Sequence, residues 1–204
     1  MATKFRERYR AEFRAETLAA ARELIKEEGY EGLTLRKLAQ RMQCSPMALY
    51  TYFADKQALL TALALEGFEK LAKRHEGTSR REPLSALRKI MLDHIAFAEE
   101  NPIEYRILFL TARPAAAAKK TRQEIQKKNP AFRVLFQCVQ RCVEAGVLRG
   151  DAFAISTIAL SAAHGAASLL ITLTDFPFGA HWRFAEEVVA TTLNGLQKRS
   201  VGAM

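Results

Sequence analysis

The sequence predicts an all-α protein of two parts: a small N-terminal helix-turn-helix domain and a larger C-terminal helical domain. Three observations carry that reading. Ala, Leu, Glu, Lys, Arg and Gln dominate nearly every segment, and β-branched runs are few. Glycines and prolines fall between segments of helical periodicity, where they end or start helices. Two short, capped apolar segments near residues 34–53 are separated by a turn of a few residues. With 204 residues and 49% hydrophobic side chains, the chain has ample material for a packed core and too much for a disordered one.

The elements follow in order. The first helix runs from about Phe5 to Glu28, with Leu18, Ala21, Leu24 and Ile25 forming an apolar stripe and Gly29 in the C-cap role. Thr34 caps a short helix from Leu35 to about Met42. Gln43 and Cys44 make the turn. Ser45 caps a third helix, with Pro46 at its first position, ending near Tyr52. Asp55 caps a long helix from Lys56 to about His75, and Gly77-Thr78-Ser79 breaks the chain after it. Further helices are expected over about Pro83–Glu100, Pro102–Leu110, Ala115–Lys128, Pro130–Ala145, Ala152–Thr174 and Ala180–Lys198, with no convincing strand. The expected domains are 1–75 and 76–204.

Within the paired short helices, Leu35, Leu38, Ala39 and Met42 bury one face of the first. Leu49 and Phe53 anchor the second, and Ala39 is small where two helices approach closely. The outward face of the second helix then carries Ser45, Met47, Ala48, Thr51 and Tyr52, groups able to enter a major groove without repulsion from phosphate. The net charge of +9 favours a polyanion partner. It divides as +5 over residues 1–81 and +4 over 82–204, with Lys4, Arg6, Arg8, Arg10 and Arg14 dense at the start.

This stretch resembles the TetR family of transcriptional regulators over about Thr17 to Leu63. The resemblance includes Ala20-Ala21, Gly29-Tyr30, Thr34, Leu38-Ala39, Ser45, Leu49-Tyr50, Tyr52-Phe53, Lys56 and Leu59-Leu60. Met47-Ala48 departs from it, since many members have glycine and a hydroxyl residue there, which bears on base preference rather than fold. The resemblance implies double-stranded DNA as partner, with contacts from Thr34, Arg36, Ser45, Met47, Ala48, Tyr50, Thr51, Tyr52 and Lys56. Chemistry agrees: Thr34 and Ser45 sit at helix N-termini, the phenols of Tyr50 and Tyr52 reach backbone oxygens, and Lys56 is a point charge for phosphate. Arg36 suits a guanine, and the early arginines suit a mobile arm along the backbone or minor groove. Each has a plainer reading as well: Arg36 as a solvated helix residue, Tyr50 as a core tyrosine, the basic start as a tail.

The larger part resembles one subgroup of the family. Asn101-Pro102-Ile103-Glu104-Tyr105-Arg106-Ile107-Leu108-Phe109 is similar to a subgroup segment, and Ala163-His164-Gly165 stands where that subgroup has Trp-His-Gly. The implied role is binding of a small hydrophobic or amphipathic effector of unknown identity, with Met91, Ile95, Phe97, Tyr105, Phe109, Phe132, Phe136, Leu160 and His164 as candidate pocket residues. Plain core packing is the competing reading for each. The last two helices, about 152–174 and 180–198, are expected to form a homodimer interface. Small residues on the first and the stripe Val188, Val189, Thr192, Leu193 and Leu196 on the second carry that expectation, with Trp182 at its edge.

Other classes find little support. The four histidines (His75, His94, His164 and His181) and three cysteines (Cys44, Cys138 and Cys142) show no metal-ligand spacing. No phosphate-binding glycine loop or serine elbow is present, so neither an enzyme nor a cofactor is expected. A helical enzyme or carrier for a hydrophobic molecule, and a dimeric adaptor without DNA binding, remain as alternatives. Cys138 and Cys142, one helical turn apart, read either as a thiol sensor or as two half-buried small residues. Lys119, Lys120, Arg122, Lys127 and Lys128 read as a solvated helix face. The basic N-terminus leads into no apolar signal core, and polar residues interrupt the most apolar run, Ile155–Leu173. A cytoplasmic protein without a membrane partner is the expectation.

Overall fold

A computed structural model describes residues 2–110, 121–198 and 200–202. Part of the helix expected at 115–128, including Lys119 and Lys120, lies outside the described residues, as does the side chain of Lys4. The described chain is helical almost throughout, with ten α-helices, and it divides into two compact units. One comprises Met1–Glu66 with Ile103–Thr111, the other Gly67–Pro102 with Ala112–Met204.

The first unit contains α1 (Ala2–Gly32), α2 (Leu35–Arg41), α3 (Pro46–Tyr50), the start of α4 (Lys56–Arg74), and α6 (Pro102–Tyr105) from Ile103 onward. The α1 helix breaks at Gly29, whose φ of 76° is left-handed backbone that glycine adopts without a Cβ penalty. One further turn follows the break. Helix α1 begins at Ala2 rather than Phe5, so the basic start, expected as a mobile arm, is helical. Its exposed Arg6, Arg8 and Arg10 alternate with residues of good helix propensity, and Arg8 ion-pairs with Glu12 one turn on.

The core of this unit joins Leu18, Ala21, Leu24 and Ile25 of α1 to Leu38 and Ala39 of α2, Leu49 and Phe53 around α3, and Leu59, Leu60 and Leu63 of α4. Ile107 completes it. After α6 the chain widens into a π turn at Arg106–Leu110, where a single helix over Pro102–Leu110 was expected. Ile107 and Leu108, adjacent in that turn, are both buried.

The second unit is built on α5 (Pro83–Glu100), which packs against α8 (Pro130–Glu144), α9 (Ala152–Thr172) and α10 (His181–Gln197); α7 (Arg122–Lys128) packs on α8. Helix α5, which buries Leu87, Ile90, Met91 and Ile95, packs on α9, whose buried face includes Ile155, Ala159, Ala163, Ala166 and Ala167. Alanines at this spacing let the two backbones approach closely. Burying Ser156 in that face is tolerable because its hydroxyl donates to the Ala152 carbonyl at 2.7 Å. Among the described residues only α9 is long and apolar enough to cross a membrane, and half of it is buried against the neighbouring helices.

The absence of strands expected from the sequence needs one correction. Arg149–Gly150 (β1) pairs in parallel with Ser200–Val201 (β2). Gly150 has φ 121°, and a Cβ there would lie 1.9 Å from the Val201 carbonyl oxygen, so only glycine admits this pairing. Asp151 continues the contact through its N–H, which donates to Val201 at 2.8 Å, and its carboxylate caps α9 at the Ala154 N–H.

Candidate nucleic-acid interface

The α2–turn–α3 unit is set by local chemistry. The Thr34 hydroxyl accepts from the Lys37 N–H at 3.2 Å and the Ser45 hydroxyl from the Ala48 N–H at 3.2 Å, fixing the start of each helix. Between them Gln43 takes a left-handed φ of 52°, and the Cys44 N–H returns to the Ala39 carbonyl at 3.0 Å. Leu38, Ala39 and Leu49, all buried, lock the pair against α1 and α4.

This packing turns one side of α3 outward. Met47 is 72% exposed and Tyr50 52% exposed, with Ser45 and Thr51 beside them and Ala48 half-buried. The Thr51 hydroxyl donates to the Ala48 carbonyl at 2.6 Å, leaving its lone pairs outward. Tyr52 is half-buried. Its ring lies 4.9 Å from that of Phe13 on α1, and the Arg10 guanidinium sits 5.9 Å from its centroid. Arg14 covers Phe53 in the same way at 5.8 Å. Arg10, Phe13 and Arg14 therefore belong to the same surface as α3. The sequence showed their charge and aromaticity but not this contact, which spans about forty residues.

Helix α2 carries three cations, and two are committed. Lys37 ion-pairs with Glu28, and Arg41 forms a forked pair with Glu27 at 2.5 and 2.8 Å. The Arg41 hydrogen bond holds the Glu27 carboxyl below the usual carboxylate range. Arg36 is exposed and pairs with none of the described carboxylates, so it is the α2 cation left for an outside partner. Lys56, the expected phosphate contact at the start of α4, is half-buried. Its ammonium donates to the Tyr30 carbonyl at 2.8 Å and sits 4.3 Å over the Tyr30 ring.

The nine candidate effector residues divide between the units. Tyr105 and Phe109, with rings 4.7 Å apart, belong to the first. Tyr105 is fully buried, and burial pushes its phenol above the ordinary tyrosine range. In the second unit Met91, Ile95, Phe97 and Phe132 are buried, while Phe136, Leu160 and His164 are half-buried. Phe132 and Phe136 both meet the ring of Phe153, at 5.5 and 6.4 Å. His164 faces His94 of α5 edge-on at 6.5 Å. His94 was not among the expected residues: the two histidines are seventy positions apart, and only α5–α9 packing joins them. Burial lowers the pKa of His94 to about 3 and that of His75 to about 4, keeping both neutral. Neither ring nitrogen of His75 has a hydrogen-bond partner among the described residues.

The geometry of the first unit agrees with what comparison finds. Residues 18–63 match the family model of bacterial regulatory proteins of the tetR family, and residues 87–191 match the tetracyclin repressor-like C-terminal domain. The chain belongs to the TetR family. The two models together account for most of its length, so the TetR resemblance of the N-terminal helices extends to the larger domain. Similar sequences include tetracycline repressor protein class G of Vibrio anguillarum, 34% identical over 48% of this chain and 42% of that protein. Tetracycline repressor protein class D of Escherichia coli is 44% identical over 31% of this chain and 28% of its own length. The chain thus matches less than half the length of these TetR relatives. A solved structure of a protein with unknown function from Rhodococcus sp. RHA1 is 25% identical, with a TM-score of 0.73 over 90% of this chain and 95% of that one. TetR members are helix-turn-helix transcriptional regulators, and the all-α fold is theirs.

Proposed function

We propose that this TetR-family chain is a repressor that binds a palindromic DNA operator as a homodimer and is released by a small-molecule effector held in its C-terminal part. The observation that carries the DNA reading is the outward face of α3. Met47, Tyr50 and Thr51 project from a helix whose start, turn and inner face are all fixed, beside the uncommitted Arg36. A rigid helix with small, hydroxyl and aromatic groups outward can read a major groove, while hydroxyls and cations beside it hold phosphate.

Dimerisation through α9 and α10 is supported by their exposed apolar side chains. Leu169, Leu173, Phe176 and Trp182 face outward on or next to the two helices, and large exposed apolar groups of this kind mark a protein interface. An effector binding the aromatic candidates would have to favour the conformation that leaves DNA, and DNA would then weaken the effector in return. Such a protein acts in the cytoplasm.

Selection of bound sequences from random duplexes tests the reading. The expected product is an inverted repeat whose half-site centres lie roughly 34–36 Å apart or a little more, bound by an even number of chains. Recovery of sequences with no shared repeat would refute it.

A further inference from the structure

Helix α8 carries two thiols that the regulator reading leaves unused. Cys138 and Cys142 are free, both buried, and stand on one face one turn apart. The Cys138 thiol donates to the Pro83 carbonyl at 3.6 Å. Cys138 also lines an open groove of about 370 Å³ shared with Thr78, Gln137, Arg141 and Glu144. It is therefore the sulfur facing the solvent side of the pair, with Cys142 behind it.

The spacing decides which chemistry the pair can do. Side chains four apart on a helix have Cβ atoms about 5–6 Å apart. A disulfide needs about 3.5–4.5 Å, so direct oxidation would require α8 to unwind. One atom inserted between the sulfurs removes that conflict. Zinc is a poor candidate, because no group of three His, Cys, Asp or Glu side chains able to hold a metal occurs among the described residues. A ligand that brings its own remaining substituent and asks for two soft sulfurs fits better.

The geometry points to a two-thiol site on α8, Cys138 with Cys142, that captures a trivalent organoarsenic group. With an arsine oxide as reactant, each sulfur forms one bond to arsenic and the arsenic–oxygen bond breaks. The two thiol protons leave with that oxygen as one water, and arsenic stays trivalent, so no oxidant or reductant is needed. The surroundings favour the first attack. The neighbouring Cys142 and the Arg141 guanidinium lower the Cys138 thiol below its ordinary range, against burial and Glu82, which both raise it. Arg141 is held in place by its own hydrogen bond to the Arg81 carbonyl at 2.7 Å. The neighbouring Cys138 and burial push the Cys142 thiol up, so it gives up its proton only as the second bond forms. The site is independent of operator binding, and its test involves no DNA.

The chain supplies a direct readout. Trypsin cuts after Arg141, between the two cysteines, giving peptides Val134–Arg141 and Cys142–Arg149. The reduced, full-length protein is treated with phenylarsine oxide in excess glutathione and digested. The expected result is one phenylarsenic per chain, found joining those two peptides, with a mass gain of the reagent less one water. A small dithiol should strip it. In C138A and C142A the glutathione-resistant adduct should be lost, and in C44A it should remain. Unlinked peptides in the wild-type digest, release by glutathione alone, or full retention in either C138A or C142A would each overturn the site. The wild-type linkage is read without any substitution, so it stands even where a variant folds poorly.

Discussion

Lys56 and Tyr30 clamp the end of α1 to the start of α4: the ammonium donates to the Tyr30 carbonyl at 2.8 Å while lying 4.3 Å over its ring. A lysine in this position has a structural role before it meets any phosphate. Its carbonyl partner follows Gly29, where α1 breaks, and also accepts the Leu33 N–H at 3.3 Å. Lys56→Met is therefore expected to lower stability by about 1–2 kcal/mol, from a charge-assisted hydrogen bond and a cation–π contact. Arg36→Ala should leave stability within about 0.5 kcal/mol and weaken DNA binding about tenfold. Urea unfolding beside DNA titration separates the two. Equal stability loss in both variants contradicts the assignment.

The turn between α2 and α3 stores a small strain. Gln43 is the one described non-glycine residue with positive φ, and an L side chain in that region costs about 1–2 kcal/mol. Gln43→Gly removes the clash but loosens the unfolded chain, so a net gain of up to about 1 kcal/mol is expected. Gln43→Val should destabilise by more than that gain. Thermal unfolding of the two variants checks the order, and a stabilising valine would show the turn to be wrongly placed.

The two hydroxyl caps are expected to matter equally. Thr34→Ala and Ser45→Ala each remove a 3.2 Å bond to a helix N–H, a loss of about 1 kcal/mol. Asp in place of Ser45 keeps the cap but sets a negative charge at the proposed phosphate contact. Ser45→Asp should therefore keep the wild-type melting temperature while losing DNA affinity, measured by scanning calorimetry and titration together.

Acid should loosen the second unit through His75. Its folded pKa, lowered to about 4 chiefly by burial, lies below the ordinary 6.5; Asp93 pulls it up, and Lys89 and Arg74 push it down. Between those values the unfolded chain binds a proton that the folded chain does not, so stability falls as pH drops from about 6.5 toward 4. At about 1.4 kcal/mol per pKa unit the effect is on the order of 3 kcal/mol. His75→Leu should make the pH dependence of the urea midpoint in this window about half as steep, with buried His94 supplying the remainder. A slope unchanged from wild type would remove His75 as a contributor.

Local signals were legible in the sequence because each rests on a few neighbouring residues. The caps Thr34 and Ser45, the proline at the start of α3, the left-handed Gly29 and the start of α5 at Pro83 are all of this kind. The departures arise where distant residues decide the outcome. Gly150 suggested only a boundary until Val201, fifty-one positions on, paired with it. His94 had no visible relation to His164, nor Arg10 to Tyr52, before α5 met α9 and α1 met α3. The Lys56 charge was plain, but the Tyr30 carbonyl that holds it lies 26 positions earlier, just after the break at Gly29.

The central claim is that α3 reads DNA, and Tyr50 is its most exposed aromatic side chain. Fluorescence anisotropy with fragments of the source genome, over roughly 50–200 mM salt, tests it most directly. Tight binding to a few fragments sharing an inverted repeat is predicted, falling steeply with salt, and lost in Tyr50→Ala while helical content is retained. Weak binding of equal strength to every fragment, unchanged in Tyr50→Ala, would contradict the account and reduce the interaction to the net charge of +9.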